Sequence, residues 1–216
     1  MKSMCRFSII FSLILLMSSV NWSCSNKDHH ANEAELELDC CCPHCRILIQ
    51  PYGDFSQARA KEVSKQLVQA LEKHMAGLAV TDVEVLPNKP LTDDLLNDSK
   101  TRYRAQKILN QQQGAKKERN DVIIGLTDKD ISTSIHGQED FGILGLTYVG
   151  RSNSVISTYR VKDKSQFWKV VLHEFGHGYL GLHHCPNNDK SCFMVDAQGK
   201  PNLAPQRHFC DSCARL

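Results

Sequence analysis

Residues 173–185 read His-Glu-Phe-Gly-His-Gly-Tyr-Leu-Gly-Leu-His-His-Cys, and the histidines, the glutamate and the cysteine in that run are suited to metal chemistry. His173 and His177 stand four apart. On a helix they share one face, with Cβ atoms roughly 5 to 6 Å apart, so both imidazoles reach a single ion. That pair is half of a zinc site. Glu174 follows His173 directly and points about 100° around the helix from it, beside the open coordination position rather than on the ion. A carboxylate so placed is a general base for attack by water. His183 and His184 come a few residues later, and either is able to supply a third ligand.

A helix must carry this motif, and the residues before it have the right pattern. From Ser165 onward Phe167, Trp168, Val170 and Val171 give an apolar face ahead of His173, Glu174 and His177, and glycines at 176, 178 and 181 loosen the helix end. Upstream, Arg46–Tyr52 is an apolar run of strand length, stopped by Pro51 and Gly53. Asp54 or Ser56 can cap a helix over Phe55–Met75, in which Val63, Leu67, Val68, Leu71 and Met75 recur at three- and four-residue spacing. A second strand falls within Ala79–Leu86, and strand, helix, strand predicts a crossover. A helix over Arg102–Gln112 leads to a third buried strand, Asp121–Thr127. Gly142, Gly145 and Gly150 then punctuate an apolar run, Phe141–Val149, which turns at Arg151–Asn153 into the alternating segment Ser154–Val161. This predicts an antiparallel hairpin bordering a cleft; Ser154–Val161 either offers an edge to an extended substrate or is paired within the sheet on both sides. The fold class is α/β in the α+β sense.

The 216 residues, 41% hydrophobic and 23% charged, allow one globular domain with a full core. A net charge of +2 is too small to suggest a nucleic-acid binder, and the cluster Lys116, Lys117, Glu118, Arg119 reads as a solvated loop. Residues 1–23 lie outside the domain: Lys2 and Arg6 precede the short apolar run SIIFSLILLM of an export signal. The small residue Ser23 before Cys24 is similar to the site at which bacterial lipoproteins are cleaved and acylated. The resemblance implies an exported protein anchored to a membrane by lipid on Cys24 and facing the periplasm or the cell surface, with ordinary signal-peptidase cleavage as the alternative. Residues 24–45 are a polar tether with a Cys-rich end, leaving 46–216 as the catalytic domain.

The C-terminal motifs carry a family likeness. His184-Cys185, Cys192-Phe193-Met194 and Cys210-Asp211-Ser212-Cys213 resemble the archaemetzincin branch of the metzincin peptidases. In that family the extended zinc motif ends in His-Cys and is followed by Cys-x-Met and a late Cys-x-x-Cys. Ile49–Asp54 and Gly125–Asp130 look like weaker landmarks of the same family. The resemblance covers about Arg46 to Cys213. It implies a mixed twisted sheet with an active-site helix and a small Cys-rich C-terminal zinc subdomain. It also implies a zinc peptidase acting on peptide or protein, with Met194 beneath the catalytic ion.

Two points depart from the family pattern. Usual metzincin spacing puts Leu180 where a glycine makes a left-handed turn, with His183 as third ligand; a leucine there costs roughly 1 to 2 kcal/mol. If one residue is inserted, Gly181 makes the turn and His184 becomes the ligand, which is the preferred reading. The spacing from Cys185 to Cys192 is also longer than the family's. Cys185, Cys192, Cys210 and Cys213 supply the four thiolates of a closed structural zinc, giving two zinc ions per chain; two disulfides are the alternative in an oxidising compartment.

Cys40, Cys41, Cys42 and Cys45 remain. Cys42-Pro43-His44-Cys45 has the form of a thiol–disulfide exchange centre, yet it precedes a strand instead of opening a helix, which disfavours that use. Disulfides pinning the tether and a peripheral metal site are the other readings. Against the peptidase stand two rival functions: a zinc-stabilised surface binding module without activity, and an oxidoreductase using Cys42 and Cys45. The intact Glu174 disfavours the first.

Overall fold

A computed structural model describes residues 44–75, 77–112, 118, 120–135, 137–197 and 202–214. The leader, Cys24, the tether and Cys40, Cys41 and Cys42 lie outside the described residues. The apolar runs pair into a five-stranded sheet. Its strands are β1 (His44–Pro51), β2 (Ala79–Val85), β4 (Asp121–Thr127), β7 (Gly145–Thr147) and β8 (Asn153–Ser157), in the order β2-β1-β4-β8-β7. Every pairing is parallel except β7 with β8. A three-stranded sheet holds β3 (Tyr103–Arg104), β5 (Ile131–Ile135) and β6 (Gln138–Ile143), in the order β3-β5-β6.

Side-chain alternation sorts the core into two layers. Ile47, Ile49, Val122, Ile124, Leu126 and Ile156 join the larger cluster with helix α1 (Gln57–His74) and helix α3 (Phe167–Gly178). Val155, on the opposite face of β8, joins a smaller cluster with Tyr52, Ile131 and helix α2 (Ala105–Gln112). All of β4 is buried, as expected of a central parallel strand covered on both faces. Helix α1 starts where its sequence allows. The Ser56 side chain accepts from Arg59 N at 3.3 Å, and Ala60, Val63, Leu67, Ala70 and Leu71 form its buried stripe.

Two expectations need correction. The first strand begins at His44, not Arg46, so the tether's last residue, Cys45, is a fully buried core residue of β1. The predicted hairpin is split: β6 pairs with β5 in the smaller sheet, and only β7 turns back on β8. The segment Ser154–Val161 is therefore no open edge. Its strand part ends at Ser157 and is hydrogen-bonded to β4 on one side and β7 on the other, so the edge of the large sheet on that side is β7. Among the described residues no helix is long and apolar enough to cross a membrane.

Candidate metal centre

Helix α3 positions the first two histidines because its other face is anchored. Phe167, Val170, Val171 and Phe175 are buried in the main core, which fixes the rotation of the helix about its axis. The chain then reverses at Gly181, whose φ of +67° is left-handed and cheap only for glycine. Leu182 N closes the turn on Gly176 O at 2.9 Å. The reversal lays the following residues over the helix and brings His184 to His173 and His177; the three offer nitrogens that all lie within 4.8 Å of one another. His183 is exposed and outside this group. The structure thus brings together the shifted arrangement, with Gly181 as the turn.

Two backbone carbonyls orient the rings. His173 Nδ1 lies 2.8 Å from Phe193 O and His177 Nδ1 lies 2.6 Å from Leu182 O. A carbonyl only accepts, so each Nδ1 carries the proton and each Nε2 is left with a free lone pair. Those two Nε2 atoms stand 3.0 Å apart. Burial, then the neighbouring His177, pushes the His173 pKa down to about 3, which keeps the ring neutral, as a metal ligand must be. Burial likewise lowers that of His177. Tetrahedral bonds of 2.0–2.1 Å separate ligand nitrogens by about 3.3 Å, so the donor set fits a zinc ion with a position to spare.

Glu174 sits beside this cluster, 7% exposed, and burial pushes its pKa up to about 7, with the Thr147 hydroxyl acting the other way. Its carboxylate lies against Gly145 of β7, where an added Cβ would meet Glu174 Oε1 at 2.6 Å. His173, Glu174 and His184 line a cleft of about 710 Å³ that also takes in β6 and Gly145. Met194 is fully buried, its Sδ against Gly176 of the motif helix. Met194 O accepts from Cys185 N at 2.7 Å, so the turn holding the methionine is tied to the chain just after His184.

Cys185, Cys192, Cys210 and Cys213 form the second cluster. All four are buried, none is in a disulfide, and their sulfurs lie within 4.8 Å of one another, with Cys185 and Cys210 at 3.5 Å. Tetrahedral bonds of 2.3 Å place sulfurs about 3.8 Å apart, so this set also fits zinc. Met194 N and Cys210 N donate to Cys192 Sγ at 3.4 and 3.5 Å, contacts that favour a thiolate. Against that, burial pushes the Cys192 thiol up to about 11 and Cys213 further still, so stable thiolates at these two need a cation. Cys45 is elsewhere. It is wholly enclosed in β1 and burial pushes its pKa up to about 11, both of which disfavour thiol exchange there.

No family model matches the chain. An archaemetzincin of Haloquadratum walsbyi is 27% identical over 183 residues, covering 78% of this chain and 96% of that protein. The crystal structure of an archaemetzincin from Archaeoglobus fulgidus is 27% identical, with a TM-score of 0.55 over 78% of this chain and 98% of its own. A zinc-dependent peptidase from Methanocorpusculum labreanum shares the fold at a TM-score of 0.53 and 19% identity, over 77% of this chain and 97% of that one. Mixed sheet, motif helix and relatives together define a zinc metallopeptidase. Within that class, the relatives that align with most of this chain are archaemetzincins.

Proposed function

We propose that this protein hydrolyses peptide bonds at a zinc ion held by His173, His177 and His184, with Glu174 as the general base. The observation that carries the reading is the convergence of three imidazoles, two with Nε2 freed by carbonyls on Nδ1, beside a buried carboxylate at a cleft wall. The ion supplies Lewis acidity, acidifying a water and polarising the peptide carbonyl. Glu174 takes the proton of the attacking water on its carboxylate and hands it to the leaving amine. Phe193 O and Leu182 O hold the two helical imidazoles in the tautomer that offers Nε2. Gly145 leaves the carboxylate its place: a larger residue in β7 would occupy it.

Glu174→Gln tests the base. The variant is expected to bind zinc as wild type does and to lose hydrolysis by a factor of about 10² to 10⁴; undiminished turnover would sink the mechanism. We also assign a second zinc to Cys185, Cys192, Cys210 and Cys213, as a structural brace. Two zinc ions per chain, falling to one in His184→Ala, are expected by elemental analysis. The leader and Cys24 read from the sequence make this an exported, lipid-anchored peptidase, which incorporation of labelled fatty acid, abolished by Cys24→Ala, tests.

A further inference from the structure

Beyond the histidines and Glu174, the cleft is lined by three cationic side chains, Arg160, Lys162 and Lys169, against one further acid, Asp196. Asp196 stands on the metal side, 3.8 Å from His184 Nδ1. Lys169 lies one helical turn before His173, and Arg160 and Lys162 come before that helix in the chain.

Arg160 is built into its position. Its Nε and Nη2 donate to the two carboxylate oxygens of Asp130 at 2.9 and 2.8 Å, a fork that fixes the guanidinium plane. Asp130 is already shared, because Arg102 Nε donates to it at 2.8 Å. Two arginines on one aspartate leave a surplus positive charge, and the Asp130 fork uses only two of the five N–H donors of Arg160. The cleft wall is shaped to admit this group: a Cβ at Gly142 of β6 would lie 2.1 Å from Arg160 Nη2. The same ribbon that clears space for Glu174 at Gly145 therefore clears space for Arg160 three residues earlier. Gly142 and Gly145 are three residues apart, so their Cα atoms stand at most about 11 Å from one another.

We infer that the cleft selects peptides bearing a carboxylate, from an acidic side chain or a free C-terminus, within about three residues of the cleaved bond, and that Arg160 recognises it. The inference rests on the peptidase reading above. A fixed guanidinium with spare donors in a partly enclosed cleft recognises a planar carboxylate without the ordering cost of a free side chain.

The experiment measures binding of fluorescent peptides to the zinc-loaded Glu174→Gln protein, so that recognition is read apart from hydrolysis. One neutral peptide is compared as its C-terminal amide, as its free acid, and as an amide with Gln or Glu within three residues of the centre. A carboxylate is expected to tighten binding about tenfold or more, and Arg160→Gln to abolish that difference while the neutral amide binds unchanged. Gain only from the free acid assigns the chain end; gain only from Glu assigns the side chain. Gly142→Ala, which displaces the guanidinium while retaining its charge and Asp130, is expected to cut the preference severalfold and stands in if Arg160→Gln does not fold. Equal binding of all four peptides, or a preference that survives both variants, overturns the inference. Hydrolysis by the wild type is followed in parallel. A carboxylate preference without hydrolysis would reject the peptidase reading and leave the recognition by Arg160 standing.

Discussion

The two clusters of metal-ligating side chains are adjacent in sequence, His184 beside Cys185, yet they are built in opposite ways. The histidine cluster opens on a cleft, and the His184 side chain is 50% exposed. The cysteine cluster has all four members buried in the main core and backbone N–H groups on one sulfur. Closed sets of thiolates brace a fold, whereas a set with a free position and solvent access does chemistry. The link between them is short. Cys185 N to Met194 O, and Phe193 O to His173 Nδ1, tie the floor of the open site to the walls of the closed one. On the proposed reading, the second cluster serves the first by fixing the segment 184–194.

The largest test of that division is Cys213→Ser. If the closed cluster braces the fold, removing a thiolate loses the structural ion and on the order of 5 kcal/mol of stability, read as a lowered denaturation midpoint. Both zinc ions are expected to go, since His184 is held from the same segment. His184→Ala is expected to lose one ion and leave the midpoint nearly unchanged. Equal destabilisation by the two variants would erase the distinction.

Next in size is Gly145→Ala, which acts on the open site alone. Its new Cβ would meet Glu174 Oε1, Cδ and Cγ at 2.6 to 2.8 Å, so the carboxylate must move by about an ångström. A shift of that size is expected to lower kcat about 10²-fold with zinc content intact. Full activity would show that Glu174 needs no fixed position.

Sequence made some of this legible for identifiable reasons. The ligand spacing on α3 is local, so His173 and His177 could be read from residue order, whereas the preference for His184 over His183 came from the resemblance to the family's Gly-x-x-His-Cys pattern. Membership of the cysteine set was legible from its motifs, but its burial in the same core as α1 and α3 was not, because that depends on tertiary packing. Whether Ser154–Val161 is an edge stayed open in the sequence for a related reason. Alternation in Ser154–Val161 shows that a strand is half-buried or better, but says nothing about which neighbours it finds, and it found β4 and β7. Gly142 and Gly145 looked like hairpin punctuation. Their partners, Arg160 and Glu174, lie 18 and 29 residues away in the chain, beyond any local pattern.

The turn itself gives a smaller test. Gly181→Ala puts a Cβ on a residue with φ of +67° and nothing within 4 Å to clash, so backbone strain alone is at issue. It is expected to cost about 1 kcal/mol and to weaken zinc at the open site more than at the closed one, as metal titration would show. Equal weakening at both sites would mean that the turn belongs to the brace rather than to the open site.

The smallest expected effect is the most discriminating. His183→Ala removes an imidazole that is adjacent to His184 but exposed and outside the cluster. Had the chain kept the shorter spacing, with Leu180 at the turn, His183 would be the ligand and this variant would lose the open-site zinc. Here the turn falls at Gly181, and Leu182 O already accepts the His177 Nδ1–H, which fixes the residue after the turn against the helix. His184 then faces His173 and His177, with ring centroids at 5.4 and 4.8 Å. His183→Ala is therefore expected to keep two zinc ions and wild-type turnover within about twofold, the usual range for an exposed side chain without a buried partner. Loss of one ion would move the third ligand back by one residue and with it the geometry of the open site.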